Sequence, residues 1–129
     1  MKALTICQPY AHLIAIGEKR VENRTWPTRY RGPIAIHAGK SREWLCGETP
    51  GPDMVFGAVV AVATLADVLH IDRIERGDYD QRHPWLRAHE HTNGEWCWVL
   101  AGVVRLDEPV SWRGAQGLWE IDKSALPYN

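Results

Sequence analysis

The residues best placed to do chemistry are Lys19, Glu22 and Arg24, just beyond an apolar stretch that stops at Gly17. Five of the seven residues from Glu18 to Arg24 are charged. A lysine near an acid and an arginine can hold a phosphate, or can present an amine of lowered pKa if it is partly desolvated. The competing reading is a solvated strand edge whose charges pair only weakly. Gln8, Asn23, Trp26 and Tyr30 lie close in sequence, and Arg31 closes the stretch, so the balance tips toward one wall of a ligand-binding cleft. Lys19 and Glu22 are the candidates for any catalytic role.

Seven tryptophans stand against a single phenylalanine. An indole offers a flat face on which a base can stack, worth about 1–3 kcal/mol per base, and an N–H that needs a partner when buried. Most tryptophans pack in cores or rims; Trp26 and Trp98 are the candidates for stacking on a ligand. Among the six histidines, His37 ends a strand-like run beside Ala38-Gly39 and is a candidate to face the cleft, the alternative being a satisfied barrel histidine. His83, His89 and His91 invite a metal reading, but no carboxylate or cysteine completes a ligand set around them. No metal or cofactor is expected. The chain has no GxSxG elbow, no Cys/His nucleophile motif and no glycine-rich phosphate loop.

The elements that must position these groups can be read from the apolar pattern. At 129 residues the chain is expected to form one domain, residues 1–129, with the composition of an ordinary soluble protein. Residues 2–7 read as a buried strand. Pro9 suits the first turn of a helix, and Tyr10, Leu13, Ile14 and Gly17 repeat at helical spacing. With Ala11, Ala15 and Ile16 the helix is apolar nearly all round and therefore buried, with Gly17 as its left-handed cap. If residues 19–24 are extended, Arg20, Glu22 and Arg24 share one face and Lys19, Val21 and Asn23 the other.

Pro33–Ala38 reads as a strand, and Ser41 as the cap of a helical turn through Leu45. Gly57–Leu69 is a strand long enough that it must bend, as barrel strands do. Asp72 with Glu75 resembles a capping box. His83–Gly94 reads as loop with a short helix from Pro84; Trp96–Leu106 and Gly117–Ile121 read as strands. Five or six strands with short helices between them predict an α+β fold, a small, partly open barrel.

Neither long apolar run approaches a membrane span, and residues 1–7 lack the organisation of a signal peptide. Three widely spaced cysteines without a CxxC pair argue for the reducing cytoplasm. A net charge of -1 does not support a wholesale nucleic-acid binder. The distribution says more: residues 18–42 carry seven basic side chains against two acids, and residues 43–95 carry four against ten. One basic lobe beside one acidic lobe can hold an anion on one face.

The stretch QPYAHLIAIGEKRVENRTWPTRYRGPIAIHAG, followed by GAVVAVATLADV and WCWVLAGVVRLDEPVSWRGAQGLWEI, resembles the ASCH domain, a PUA-like family, over nearly the whole chain. The family pattern falls on Gln8, Pro9, Gly17, Lys19, Glu22, Arg24, Trp26, Arg31 and Gly32. The resemblance implies a PUA-like β-barrel with helices flanking a cleft, related to RNA-binding PUA and base-reading YTH and EVE domains. It also implies RNA or a modified nucleobase as ligand. Some small bacterial relatives are amidohydrolases on N4-acetylcytidine that use a lysine, a threonine and a glutamate, and another resembles a ribonuclease. Lys19 falls on that lysine, but Glu22 stands where the threonine would be. Three readings follow: a nucleic-acid-binding module, a small hydrolase using Lys19, and a protein-interaction module using the acidic 43–95 region.

Overall fold

The computed structural model describes residues 1–127. Among these residues six strands form one sheet in the order β2-β5-β4-β3-β1-β6. They are β1 (Lys2–Ile6), β2 (Val21–Arg24), β3 (Gly32–Ala38), β4 (Ala58–His70), β5 (Trp96–Ser111) and β6 (Leu118–Glu120). Only β1 and β3 run parallel; the other neighbours are antiparallel. The expected bend is built into the β4–β5 ladder, whose register shifts at Val59/Ala61, Val62/Thr64 and Leu65/Asp67. Each shift breaks the ladder and increases local twist, so the two longest strands curl the sheet into a half-barrel.

Helix α1 (Tyr10–Ala15) packs against β3, β4 and β5. Alternation along β1 and β3 sends Leu4, Ile6, Ile34 and Ile36 into the core beneath α1, and Ala3 and Ala35 into a second cluster with Leu106 and Ile121. A third cluster joins Val21, Leu69, Ile74 and Leu86 under the second helix, α2 (Ile71–Glu75).

Several local expectations need correction. Pro9 occupies the N-cap position of α1, one residue before the first turn. The cap of α2 is His70, whose Nδ1 accepts from the Asp72 N–H at 3.2 Å, so the helix starts two residues earlier than a box on Asp72 would place it. No helix follows Pro84; successive single turns close instead through Leu86 N–H to His83, His89 N–H to Leu86 and Thr92 N–H to His89. Strand β5 runs on to Ser111, five residues past the predicted end, because β4 pairs with it as far as Ala58. No helix among the described residues is long and apolar enough to cross a membrane.

Candidate functional site

The C-terminus of α1 delivers the first functional group. Gly17 takes the left-handed conformation, φ +87°, and the N–H groups of Glu18 and Lys19 both donate to the Leu13 carbonyl, at 3.0 and 3.1 Å. Lys19 is thereby fixed in a turn ahead of β2, and the predicted separation of its side chain from Glu22 does not hold. Alternation governs only residues inside a strand, and β2 begins at Val21. Lys19 and Glu22 are both buried and lie 3.4 Å apart, Nζ to Oε1. The other carboxylate oxygen, Oε2, pairs with Arg24 at 2.9 Å.

Arg24 is held in turn by the Thr5 carbonyl, which accepts from its terminal nitrogen at 2.9 Å. Its Nε is buried without a partner among the described residues. Lys19 also donates to the Val21 carbonyl and lies 5.6 Å from the centre of the Tyr10 ring. Burial pushes the Lys19 amine below its ordinary pKa and the Arg24 charge adds to this; the Glu22 carboxylate opposes both without cancelling them.

These groups line a cleft of about 660 Å³ with Tyr10, Trp44, Glu90 and His91 at its walls, a volume in the range of small-molecule sites. Asn23 builds one rim. Its amide nitrogen donates to the His91 carbonyl at 2.7 Å and to Asn93 Oδ1 at 2.9 Å, and its oxygen accepts from the Gly94 N–H at 2.9 Å.

The structure gathers Lys19, Glu22, Asn23 and Arg24 from the sequence candidates and leaves the others elsewhere. Gln8 is wholly buried and clamps α1 to the segment leading into β4: its oxygen accepts from the His12 N–H at 2.9 Å and its nitrogen donates to the Val55 carbonyl at 2.7 Å. Trp98 has no exposed surface, and its Nε1 donates to the Trp26 carbonyl at 3.2 Å. Trp26 stands edge-on to it at 4.9 Å, so this pair is core packing and Trp98 offers no face for stacking. Tyr30 donates its hydroxyl to the Pro33 carbonyl, and Arg31 donates to the carbonyls of Thr28 and Tyr30, both at 2.8 Å. Both tie down the turn before β3.

His37 is buried and lies outside this cleft, with Nδ1 3.2 Å from Thr5 Oγ1 and Nε2 2.7 Å from the Trp112 carbonyl oxygen. The aromatic wall that sequence reasoning missed is Trp44, which is 54% exposed and meets Tyr10 edge-on at 6.0 Å. The available signal was its setting: in the turn Glu43–Leu45, Leu45 alone is buried, leaving the indole outside. Among the described residues no three His, Cys, Asp or Glu side chains converge as a metal site requires.

Against solved structures, the fold matches ASCH from Zymomonas mobilis with a TM-score of 0.59 at 15% identity, over 96% of this chain and 89% of that one. Two variants of the same protein, one with Tyr changed to Phe and one with Ser changed to Ala, match with TM-scores of 0.57 and 0.58. Their identities are 15% and 16%, over 96% of this chain and 91% and 89% of theirs. No curated protein matches the chain. The family model of the ASCH domain matches residues 4–110, which include α1, the Gly17 turn and all of the Lys19–Arg24 cluster, and the chain belongs to the ASCH domain family.

Proposed function

We propose that this protein is a nucleic-acid-binding module whose cleft at Lys19, Glu22 and Arg24 receives an RNA base or nucleotide. The observation that carries the reading is the arrangement of Arg24. Its charge is already oriented by Glu22 and Thr5, its Nε is buried without a partner among the described residues, and the residue lines an open cleft. An unsatisfied buried donor costs about 1–3 kcal/mol, a cost that a ligand acceptor would remove. The Tyr10–Trp44 corner supplies ring surface at the same opening. The three unpaired cysteines fit a reducing compartment, and the cytoplasm is the expected location.

The test is fluorescence anisotropy with short labelled RNA. Lys19→Met and Arg24→Gln each remove a charge-assisted contact of about 1.5–3 kcal/mol, so each is expected to weaken binding by about tenfold or more. Trp44→Ala is expected to lose about 1–3 kcal/mol if one base stacks there. Wild-type affinity in all three variants would remove the site from this cleft.

One observation favours a second reading, hydrolysis. Burial lowers the Lys19 pKa, and in its neutral form such an amine beside a carboxylate can accept a proton from an attacking water. Incubation with N4-acetylcytidine and with short RNA, followed by mass spectrometry, is then expected to show products that disappear in Lys19→Met. Absence of product leaves binding alone.

A further inference from the structure

The cleft at Lys19 is not the most voluminous on the molecule. A second cleft, of about 980 Å³, lies between the segment leading into β4 and the segment that follows β5, and Thr5 lines both. Thr5 divides its groups between them. Its carbonyl holds Arg24 at 2.9 Å, while its Oγ1 lies 3.2 Å from His37 and accepts from Trp119 Nε1 at 3.1 Å. The two openings therefore share Thr5, at the C-terminal end of β1.

The chemistry of the second cleft is that of an anion site with ring walls. Lys40 and Arg113 line it, and the described lining residues include no acid. Neither cation has a carboxylate within 4.0 Å among the described residues. Phe56 and Trp112 add half-buried rings, and Arg42 lies 4.2 Å from the centre of the Phe56 ring at the same end. Two glycines keep the space open. A Cβ on Gly57 would stand 2.9 Å from Lys40 Cε, and one on Gly114 would stand 2.7 Å from both His37 Cε1 and Thr5 Oγ1. His37 at the floor has both ring nitrogens engaged, so it is a fixed support.

We infer that this cleft is a second nucleotide subsite, holding the phosphate and base next along a single strand whose first base enters the Lys19 cleft. The inference rests on the nucleic-acid reading above and deepens it: the ligand is an oligonucleotide of at least two nucleotides. Exposed cations without protein counter-charges beside aromatic faces are what a strand of stacked bases and phosphates requires.

The test pairs two probes, labelled pentauridylate read by anisotropy and free uridine read by the shift of the Trp44 indole N–H signal. Uridine carries no phosphate and reports the first cleft. Lys40→Gln with Arg113→Gln changes two exposed side chains, and a thermal melt confirms that the fold is retained. The double variant is expected to bind pentauridylate about tenfold more weakly. Its salt dependence should be shallower by about 1.4 in slope, about 0.7 for each lost phosphate contact. The uridine shift at Trp44 is expected to be unchanged.

Unchanged pentauridylate affinity and slope in the double variant would overturn the second subsite while leaving the first cleft standing. If pentauridylate binding survives Lys19→Met and Arg24→Gln but is lost in the double variant, the first-cleft reading fails and the two-subsite arrangement fails with it. A wild-type protein that binds neither probe overturns both.

Discussion

At Lys19 burial competes with a salt bridge, and burial wins. The amine is depressed below its ordinary pKa even though Glu22 stands 3.4 Å away. A lysine whose folded pKa lies below its unfolded value lowers stability wherever it is charged in the fold. That cost fades as pH rises from the folded pKa toward the ordinary lysine value, where the unfolded chain binds more protons. Wild-type stability relative to Lys19→Met is therefore expected to rise with pH across the alkaline range, as read by urea unfolding at several pH values; a fall would reverse the assignment.

At neutral pH Lys19→Met is expected to cost less than about 1 kcal/mol, because Glu22 keeps Arg24 and no buried charge is stranded. Glu22→Gln should cost more, about 3–5 kcal/mol, since it leaves two cations facing each other without a counter-charge. If the two variants unfold at the same urea concentration, Glu22 is not the centre of the cluster.

Two elements carry the frame of the site. Gln8 joins α1 to the Val55 segment through two buried hydrogen bonds, and Gln8→Ala strands both partners. A loss of about 1–3 kcal/mol in folding stability is expected, with ligand affinity per folded molecule retained; normal stability would show that the clamp is dispensable. The turns after α2 are fixed from the other side by Asp67, whose Oδ2 lies 2.9 Å from both His83 Nε2 and Arg82. Burial raises the Asp67 pKa, but the hydrogen bonds from His83 and Arg82 outweigh it and hold the carboxyl below its ordinary range.

A depressed carboxylate contributes stability above its unfolded pKa and loses it as pH falls through the folded value. Asp67→Asn is accordingly expected to destabilise at neutral pH by up to about 1 kcal/mol, given solvent screening of Arg82. In strong acid it should do nothing, and equal effects at both pH values would rule out the ionic account.

Across the whole molecule, the basic and acidic segments do not neutralise each other by contact. The four arginines of residues 43–95 pair with acids of that same region: Arg73 and Arg76 with Asp78, Arg82 with Asp67, Arg87 with Asp80. Among the described residues no ion pair joins that region to residues 18–42, where only Lys19 and Arg24 are paired, both to Glu22. The near-neutral total therefore conceals a surface on which Arg20, Lys40 and Arg42 keep their charge available. RNA binding is expected to weaken as salt rises, with a slope near 0.7 for each phosphate engaged. Affinity indifferent to salt would argue against a strand lying on the basic face.

The sequence by itself determined where the strands lie, though not the end of β5, and the α1–Gly17 turn and the family pattern, because each is written in local spacing. Alternation and helical repeat need no distant partner, and a glycine of positive φ is signalled by its own lack of a Cβ. It also marked the Lys19–Arg24 segment as one wall of a cleft. The tertiary structure decided which candidates share that cleft, and here local rules had no purchase. Asn23 finds its role through residues 91–94, some seventy positions away, and Gln8 through Val55. Trp98 is buried because β5 runs between β2 and β4, whereas Trp44 stays outside because its turn buries only Leu45. Where an indole ends up depends on what the sheet lays against it, and that is a property of strand order, which no local stretch of sequence contains.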